Sequence, residues 1–125
     1  MRYTLLMYYR EMSAEALSPE MMEEGLRAMS SYAAAMHEAG VLLSADVFQP
    51  STSSTTVRSI DGFPQTQDGA PSESADQLAG LIVIEVPGRD AAIEWAGRAP
   101  AAQWGAVEVR PSATHTVDGV WLPST

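Results

Sequence analysis

The stretch of sequence that decides the fold runs from Asp61 to Val86 and reads DGFPQTQDGAPSESADQLAGLIVIEV. Its last part, Leu81 to Val86, has five apolar residues out of six and stops at Pro87-Gly88. The periodicity of so short a run does not separate a strand from a buried helix segment, but its β-branched residues and the following Pro-Gly favour a central strand. The polar part ahead of it predicts a long loop, and long loops in compact domains are usually functional.

The length and composition of the chain predict one globular domain. It has 125 residues, of which 46% are apolar, which is enough for a single hydrophobic core. The absence of cysteine excludes disulfides and thiolate chemistry and leaves the redox compartment open. No apolar run approaches the roughly 20 residues of a membrane span, and no signal-peptide cleavage pattern follows Met1-Arg2. We therefore expect a cytoplasmic protein.

The charge of the chain narrows the class of partner. Sixteen acidic residues oppose seven basic ones, all of them arginine, so that the net charge is −9. This excess argues against binding to nucleic acid or to anionic membranes, whose phosphates require a cationic surface. The ordinary consequence of such a net negative charge is that the protein stays soluble.

The periodicity of the chain predicts five strands and two helices. The first helix starts at Ser18-Pro19, because serine caps free amides and proline suits the first turn, and it ends at Gly40. Its apolar side predicts that Leu26, Met29 and Met36 lie in the core. The strands are predicted at 3–9, 41–48, 55–60, 81–86 and 105–110, and the second helix at 89–99.

The order of these elements predicts an α+β fold. Strand, helix, strand, strand, strand, helix, strand suits a ferredoxin-like antiparallel sheet with two helices on one face. We expect residues 1–111 to form this domain and residues 112–125 to extend it, with a short hairpin around Asp118-Gly119. The other face of such a sheet needs a partner, which predicts a homodimer.

Short motifs spread from Met1 to Pro111 carry a family resemblance. The central one is Asp68-Gly69-Ala70-Pro71, which leads through Gly80 into the apolar strand. Others are LSPE at 17–20, AGVL at 39–42, TTVR at 55–58, IEWA at 93–96 and VEVRP at 107–111. Together they resemble the YCII-related family and, more closely, its DGPF-domain branch, although this chain has DGAP where that branch usually has DGPF. A lysine often present in the branch's loop corresponds to Ala75 here.

The resemblance implies a dimeric α+β barrel, in which two sheets pack face to face around a shared pocket. Some relatives of that fold are cofactor-free isomerases, dehydrochlorinases or hydrolases, and others bind haem. The histidine proposed as catalytic in other YCII proteins corresponds to a position near Met29 in this chain, so their mechanism does not transfer directly. We expect no cofactor, with haem ligation by His37 as a minor alternative.

Strand alternation predicts a charged cluster on the face away from the helices. If Leu5, Val57 and similar apolar residues face the helices, alternation turns four charged residues away from them: Asp46, Arg58, Glu108 and Arg110. On a solvated face such residues are ordinary, and ion pairs among them are common structural devices. In a dimer they would lie in a cleft, where charges must pair or act. There the arginines would suit a polar or anionic small molecule.

Other candidates lie on the first helix, the long loop and the first strand. His37 either enters a crevice between helix and sheet, where a histidine can transfer protons, or is an exposed helix-end residue. Glu73 is a candidate general base if the loop folds over the pocket, and Asp68 either contacts substrate or caps its turn. Tyr3 or Tyr9 is expected to add an aromatic wall.

Two functions from different classes remain open. The first is a small cofactor-free enzyme of lyase, isomerase or hydrolase type, in which His37, Asp46 or Glu73 transfers protons. The second is a noncatalytic module that binds a metabolite or a protein partner. The sequence contains none of the motifs of zinc proteases, phosphate-binding loops or serine hydrolases. Its two histidines are far apart, which argues against a histidine-rich metal site.

Overall fold

The computed structural model of the chain describes residues 1–13 and 15–124. Within these residues the chain forms eight strands and three α-helices. The strands are β1 (Arg2–Tyr9), β2 (Leu42–Val47), β3 (Thr55–Ile60), β4 (Phe63–Asp68), β5 (Gln77–Glu85), β6 (Gly105–Pro111), β7 (Thr114–Val117) and β8 (Val120–Pro123). The helices are α1 (Pro19–Glu38), α2 (Arg89–Arg98) and α3 (Ala101–Trp104).

Four of the strands form one antiparallel sheet in the order β2–β5–β1–β6. The other strands form two separate hairpins, β3–β4 and β7–β8. If the two hairpins and the short helix α3 are set aside, the chain order is strand, helix, strand, strand, helix, strand. This is the ferredoxin-like plan. The predicted α+β fold class is therefore confirmed for the single chain.

The region ahead of β5 differs from the prediction. Thr55–Ile60 is a strand as predicted, but it pairs with Phe63–Asp68 and not with the main sheet. Asp61 and Gly62 connect the two strands with φ angles of 52° and 83°, as a type I′ hairpin turn requires. The sequence of β4 gives no strand signal, because both faces of this ribbon are exposed and no apolar alternation is needed. The predicted long loop is thus shortened to residues 69–76.

The core lies on one side of the main sheet. The fully buried large side chains come from alternate positions of β1 and β5 and from α1: Leu5, Met7, Ile82, Ile84 and Met36. Helix α2 packs over the same side, since Ala92 and Ala96 belong to the same cluster. The Tyr32 hydroxyl of α1 donates a hydrogen bond to the Trp95 carbonyl oxygen of α2 at 2.7 Å. Burial raises the pKa of Tyr32 to about 12, against the opposing effect of the Arg98 charge.

Helix α1 begins and ends where its sequence predicts. The Ser18 hydroxyl accepts a hydrogen bond from the Met21 amide at 3.2 Å, which caps the first turn. Gly40 follows the helix with a φ of 75°, a left-handed conformation that favours glycine. Both ends are therefore decided by local sequence.

The side of α1 that faces the core was predicted only in part. Met36 is 1% exposed and Met29 is partly buried against the core, as expected, but Leu26 is 70% exposed, so its predicted core position is wrong. The core side instead follows Met29, Tyr32 and Met36. Toward the start of the helix this side reaches Gly25, where an added Cβ would lie 3.9 Å from the Trp104 ring. A glycine gives no apolar signal, which is why the sequence pattern pointed to the neighbouring leucine.

We expect Met36→Ala to lower the free energy of unfolding by about 2–5 kcal/mol, because it leaves a cavity in a closed core. Leu26→Ala is the matched control on the same helix and should cost less than about 0.5 kcal/mol, as surface substitutions do. Urea denaturation of both variants measures the difference. Equal losses would contradict the assignment of the buried side.

Candidate functional site

The candidate site is built on the sheet face that the helices leave uncovered. Strand register aligns one row across all four strands: Asp46, Leu81, Leu6 and Glu108. The neighbouring row contains Ser44, Val83, Thr4 and Arg110. Since these residues alternate with the buried ones, they point away from the helices. Asp46, Glu108 and Arg110 therefore lie on the face away from the helices, as strand alternation predicts.

Asp46 and Glu108 occupy opposite edges of this face. Three strand spacings separate their backbones, which corresponds to roughly 14 Å. Asp46 is exposed, whereas Glu108 is partly buried. The two carboxylates therefore do not form a catalytic pair within one chain.

Glu108 joins two other side chains on the same face. The Tyr8 hydroxyl donates to Glu108 Oε1 at 3.4 Å, and Arg110 Nε donates to Glu108 Oε2 at 2.6 Å. The Arg110 guanidinium also forms an ion pair with that carboxylate. Because Arg110 is largely exposed, the ion pair contributes at most about 1 kcal/mol to stability. Its main effect is to fix the orientation of the Glu108 carboxylate beside Tyr8.

A cleft of about 790 Å³ opens at the Tyr8 end of the uncovered face. Tyr8 and Leu78, which the register shift after Met7 makes direct partners, both line it. The other lining residues come from the segment 48–56 and from the loop before β5, where they are Ala70, Pro71, Ser72, Ser74, Asp76 and Gln77. A cleft of this volume is in the range of small-molecule sites.

The loop over this cleft is held by the backbone of Gly69. Its amide donates to the Ser54 carbonyl oxygen at 2.7 Å, and its carbonyl oxygen accepts from the Thr56 hydroxyl at 2.7 Å. Gly69 has a φ of 93°, which a residue with a side chain would adopt only with strain. The glycine of the Asp68-Gly69-Ala70-Pro71 motif is therefore required by the backbone that joins the hairpin to the loop.

Arg58 braces the same loop from β3. One guanidinium nitrogen donates to Gln67 Oε1 at 2.8 Å and another to the Pro71 carbonyl oxygen at 3.3 Å. The expectation that Arg58 lies on the main sheet beside Arg110 needs correction, because β3 belongs to a separate hairpin. Its guanidinium supports the loop and does not line the cleft.

Three carboxylates surround the loop. Asp76 lines the larger cleft, while Asp68 and Glu73 line an adjoining smaller cleft of about 260 Å³. The structure therefore brings the predicted Asp68 and Glu73 close to the candidate site and adds Asp76 to it.

The sequence profile of the YCII-related domain family matches residues 1–113. This chain belongs to the YCII-related family. It is also 32% identical over 117 residues to an uncharacterized protein of Rhizobium meliloti (strain 1021), a match that covers 92% of this chain and 94% of the relative. The resemblance drawn from the motifs is confirmed at the level of the family, and the DGPF branch remains a prediction.

Three residues predicted for the site lie on the helical side of this YCII-related protein. Tyr3 is 4% exposed within the core, and Tyr9 packs edge-on against Trp104 with ring centroids 5.5 Å apart. Burial raises the pKa of Tyr9. His37 is exposed in the last turn of α1. The expected aromatic wall from Tyr3 or Tyr9, and a crevice position for His37, are therefore not met.

Tyr8 takes the aromatic position that was assigned to its neighbours. Strand alternation predicts this exchange. If Leu5 faces the helices, Tyr3 and Tyr9 face them too, and Tyr8 lies on the uncovered face. Asp76 had no comparable signal. The position of Asp76 in the cleft depends on the path of the loop from β4 to β5. That path is set by the contacts of Gly69 and Arg58 between the loop and the β3–β4 hairpin.

Residues 1–13 and 15–124 of this YCII-related chain contain no group of three or more histidine, cysteine or acidic side chains arranged to hold a metal ion. None of their helices is long and apolar enough to cross a membrane.

We expect Arg58→Gln to loosen the loop without unfolding the protein, because it removes the charged contact to the Pro71 carbonyl. The loss of one such hydrogen bond, about 1 kcal/mol, should speed hydrogen exchange of the Gly69 amide roughly fivefold. Exchange at Met36 should not change. Arg27→Gln, which removes an exposed ion pair with Glu23 on α1, is the matched control. Equal protection of Gly69 in both variants would show that Arg58 does not brace the loop.

Proposed function

We propose that this YCII-family protein is a cytoplasmic, cofactor-independent enzyme that performs acid–base chemistry on a small polar organic molecule in the cleft beside Tyr8. Lyase, isomerase or hydrolase chemistry would fit, since each can be catalysed by positioned acids and bases without a cofactor. The observation that carries the proposal is the hydrogen bond between Tyr8 and Glu108, with Tyr8 lining the cleft. It joins a cleft-lining hydroxyl to an oriented carboxylate.

In this proposal Tyr8 is the proton-transferring group. Its oxygen can take a proton from a substrate while its own hydroxyl proton passes to Glu108, whose carboxylate Arg110 orients, so that no phenolate forms beside the carboxylate. Asp76 is the carboxylate that lines the same cleft and is a second candidate base. Glu73 borders the adjoining cleft, and Asp46 lies across the sheet. We propose these two carboxylates as secondary candidates.

We further propose that two copies pack their uncovered sheet faces together as a homodimer. The face presents Leu6, Leu81 and Val83, which are only half-buried in one chain. A four-stranded face of this length covers roughly 400 Å², about half of the ~800 Å² that each partner contributes to a standard interface. Exposed apolar residues on the two hairpins, including Phe63 and Trp121, can supply the rest.

The charge of this face also favours self-association. Register and alternation give it two arginines and three carboxylates, namely Arg2, Arg110, Asp46, Glu85 and Glu108. Two of these carboxylates already have partners: Glu85 pairs with the amino terminus at 3.1 Å, and Glu108 pairs with Arg110. The face is thus nearly neutral although the chain carries a net charge of −9. Repulsion between two copies would be weak there.

The alternative function is a noncatalytic module that binds a metabolite or a protein partner. The ion pair between Glu108 and Arg110 favours it, because a paired carboxylate can be a structural device and nothing more. In that case the Tyr8 hydroxyl would hold a ligand by hydrogen bonding without transferring a proton.

To separate the two functions, we would incubate the protein with a small-molecule extract of cells and follow compounds by mass spectrometry. An enzyme should convert at least one compound. The Tyr8→Phe variant should still bind that compound but convert it roughly a hundredfold more slowly, since general acid–base catalysis contributes 10²–10⁴-fold. Arg27→Gln on α1 should behave as the unaltered protein. Enrichment of a compound without conversion would establish the binding module. If no compound were enriched or converted, the enzyme and the metabolite-binding module would both be contradicted, and the protein-binding module would stand.

For the assembly, we expect sedimentation of the unaltered protein at micromolar concentration to give a dimer. Leu81→Glu should give a folded monomer, because it adds two buried charges at the centre of the proposed interface. Leu26→Glu on the exposed side of α1 is the matched control and should leave the dimer intact. A stable monomer for the unaltered protein would contradict the interface.

A further inference from the structure

The side chains that line the larger cleft are almost all uncharged. Seven of them carry hydroxyl groups, among them Tyr8, Ser54 and Thr56. Two glutamines add amide groups, and four apolar residues, including Phe48 and Leu78, complete the lining. Asp76 is the one charged residue among them, and all of these lining residues belong to the described part of the chain.

No arginine is among the residues that line the cleft. Arg58 lies outside the lining and donates to Gln67 Oε1 and to the Pro71 carbonyl oxygen, and Arg110 donates to Glu108. A ligand carboxylate or phosphate in the cleft would therefore meet no guanidinium in the cleft lining. It would lie near Asp76 and close to the adjoining cleft that contains Asp68 and Glu73. An anion taken out of water there would lose hydration without gaining an ion pair.

A cationic ligand is also poorly matched. Asp68, Glu73 and Asp76 are all exposed, and an ion pair with an exposed carboxylate contributes about 1 kcal/mol or less. Hydroxyl and amide groups, in contrast, can both donate and accept hydrogen bonds to a neutral ligand. The Tyr8 and Phe48 rings and Leu78 offer apolar contact for the body of that ligand.

We infer that the molecule bound in this cleft is uncharged and carries hydroxyl or amide groups on an apolar or aromatic body. This inference rests on the proposed function, since it concerns the ligand of the same cleft. The sequence predicts a polar or anionic small molecule, and this inference keeps only the uncharged members of that class. The part of the ligand that occupies the cleft is then neither a carboxylate nor a phosphate.

A fragment library built in charge-matched sets tests the inference. Each set holds an amide, a carboxylate and an amine on the same skeleton, for example benzamide, benzoate and benzylamine. Binding is followed by amide chemical shifts of Tyr8, Gln77 and Leu78 in the full-length protein. We expect the amides to bind up to roughly fivefold more tightly than the matched carboxylates, because a charge interaction with an exposed group contributes about 1 kcal/mol or less. Asp76→Asn removes the like charge and should reduce the difference between amides and carboxylates.

Two variants with a change at one position test whether charge, and not shape, sets this preference. Leu78→Arg puts a cation into the cleft and should bring carboxylate binding to at least the level of the amides. Leu78→Gln, which adds polarity without charge, should keep the preference for amides.

The outcomes separate this inference from the proposed function. Tighter binding of carboxylates, or of amines in a manner lost in Asp76→Asn, would overturn the neutral ligand class and leave the cleft as a binding site. If no member of any set shifted the three resonances, the cleft would not be a ligand site, and the proposed function would fail with the inference.

Discussion

The one-sided burial of the main sheet is the constraint on which the rest of the structure depends. Both long helices pack on the same side, over Leu5, Ile82 and Ile84, and no helix among residues 1–13 and 15–124 packs on the opposite side. A sheet in water tolerates one solvated face only when that face is polar. Here the centre of the face is apolar at Leu6 and Leu81, and its edges are charged. A surface of that kind fits a role in assembly and in binding.

Small backbone features connect this sheet to the cleft. The register shift at Met7 and Tyr8 leaves Ala79 as an extra residue and directs Leu78 to the uncovered face. Gly80 allows the close approach of β2, since an added Cβ there would overlap the Asp46 carbonyl oxygen. Gly69 then joins the loop to the hairpin through two backbone hydrogen bonds. The cleft is thus shaped by positions that carry no reactive group.

The polar groups of the site divide into supporting and contacting ones. The guanidinium group of Arg58 supports the loop and that of Arg110 pairs with Glu108, and neither arginine lines the cleft. The contacting groups are hydroxyls and amides, with Tyr8 as the one that is joined to a carboxylate. This division connects the proposed chemistry with the proposed ligand. A neutral substrate needs an oriented group that transfers protons more than it needs a counter-charge.

The sequence by itself determined the class of fold, the ends of helix α1 and the family. These depend on local patterns, such as the serine cap at Ser18, the glycine at Gly40 and the apolar run into β5, which act over a few residues. Strand alternation also predicted that Asp46, Glu108 and Arg110 lie on the sheet face away from the helices, because side chains of a strand alternate between the two faces whichever strand it pairs with. Only the tertiary structure decided that Thr55–Ile60 leaves the main sheet, that Gly25 and not Leu26 faces the core, and that Asp76 enters the cleft. Each of those depends on which distant segment packs against the residue, and no local period contains that information.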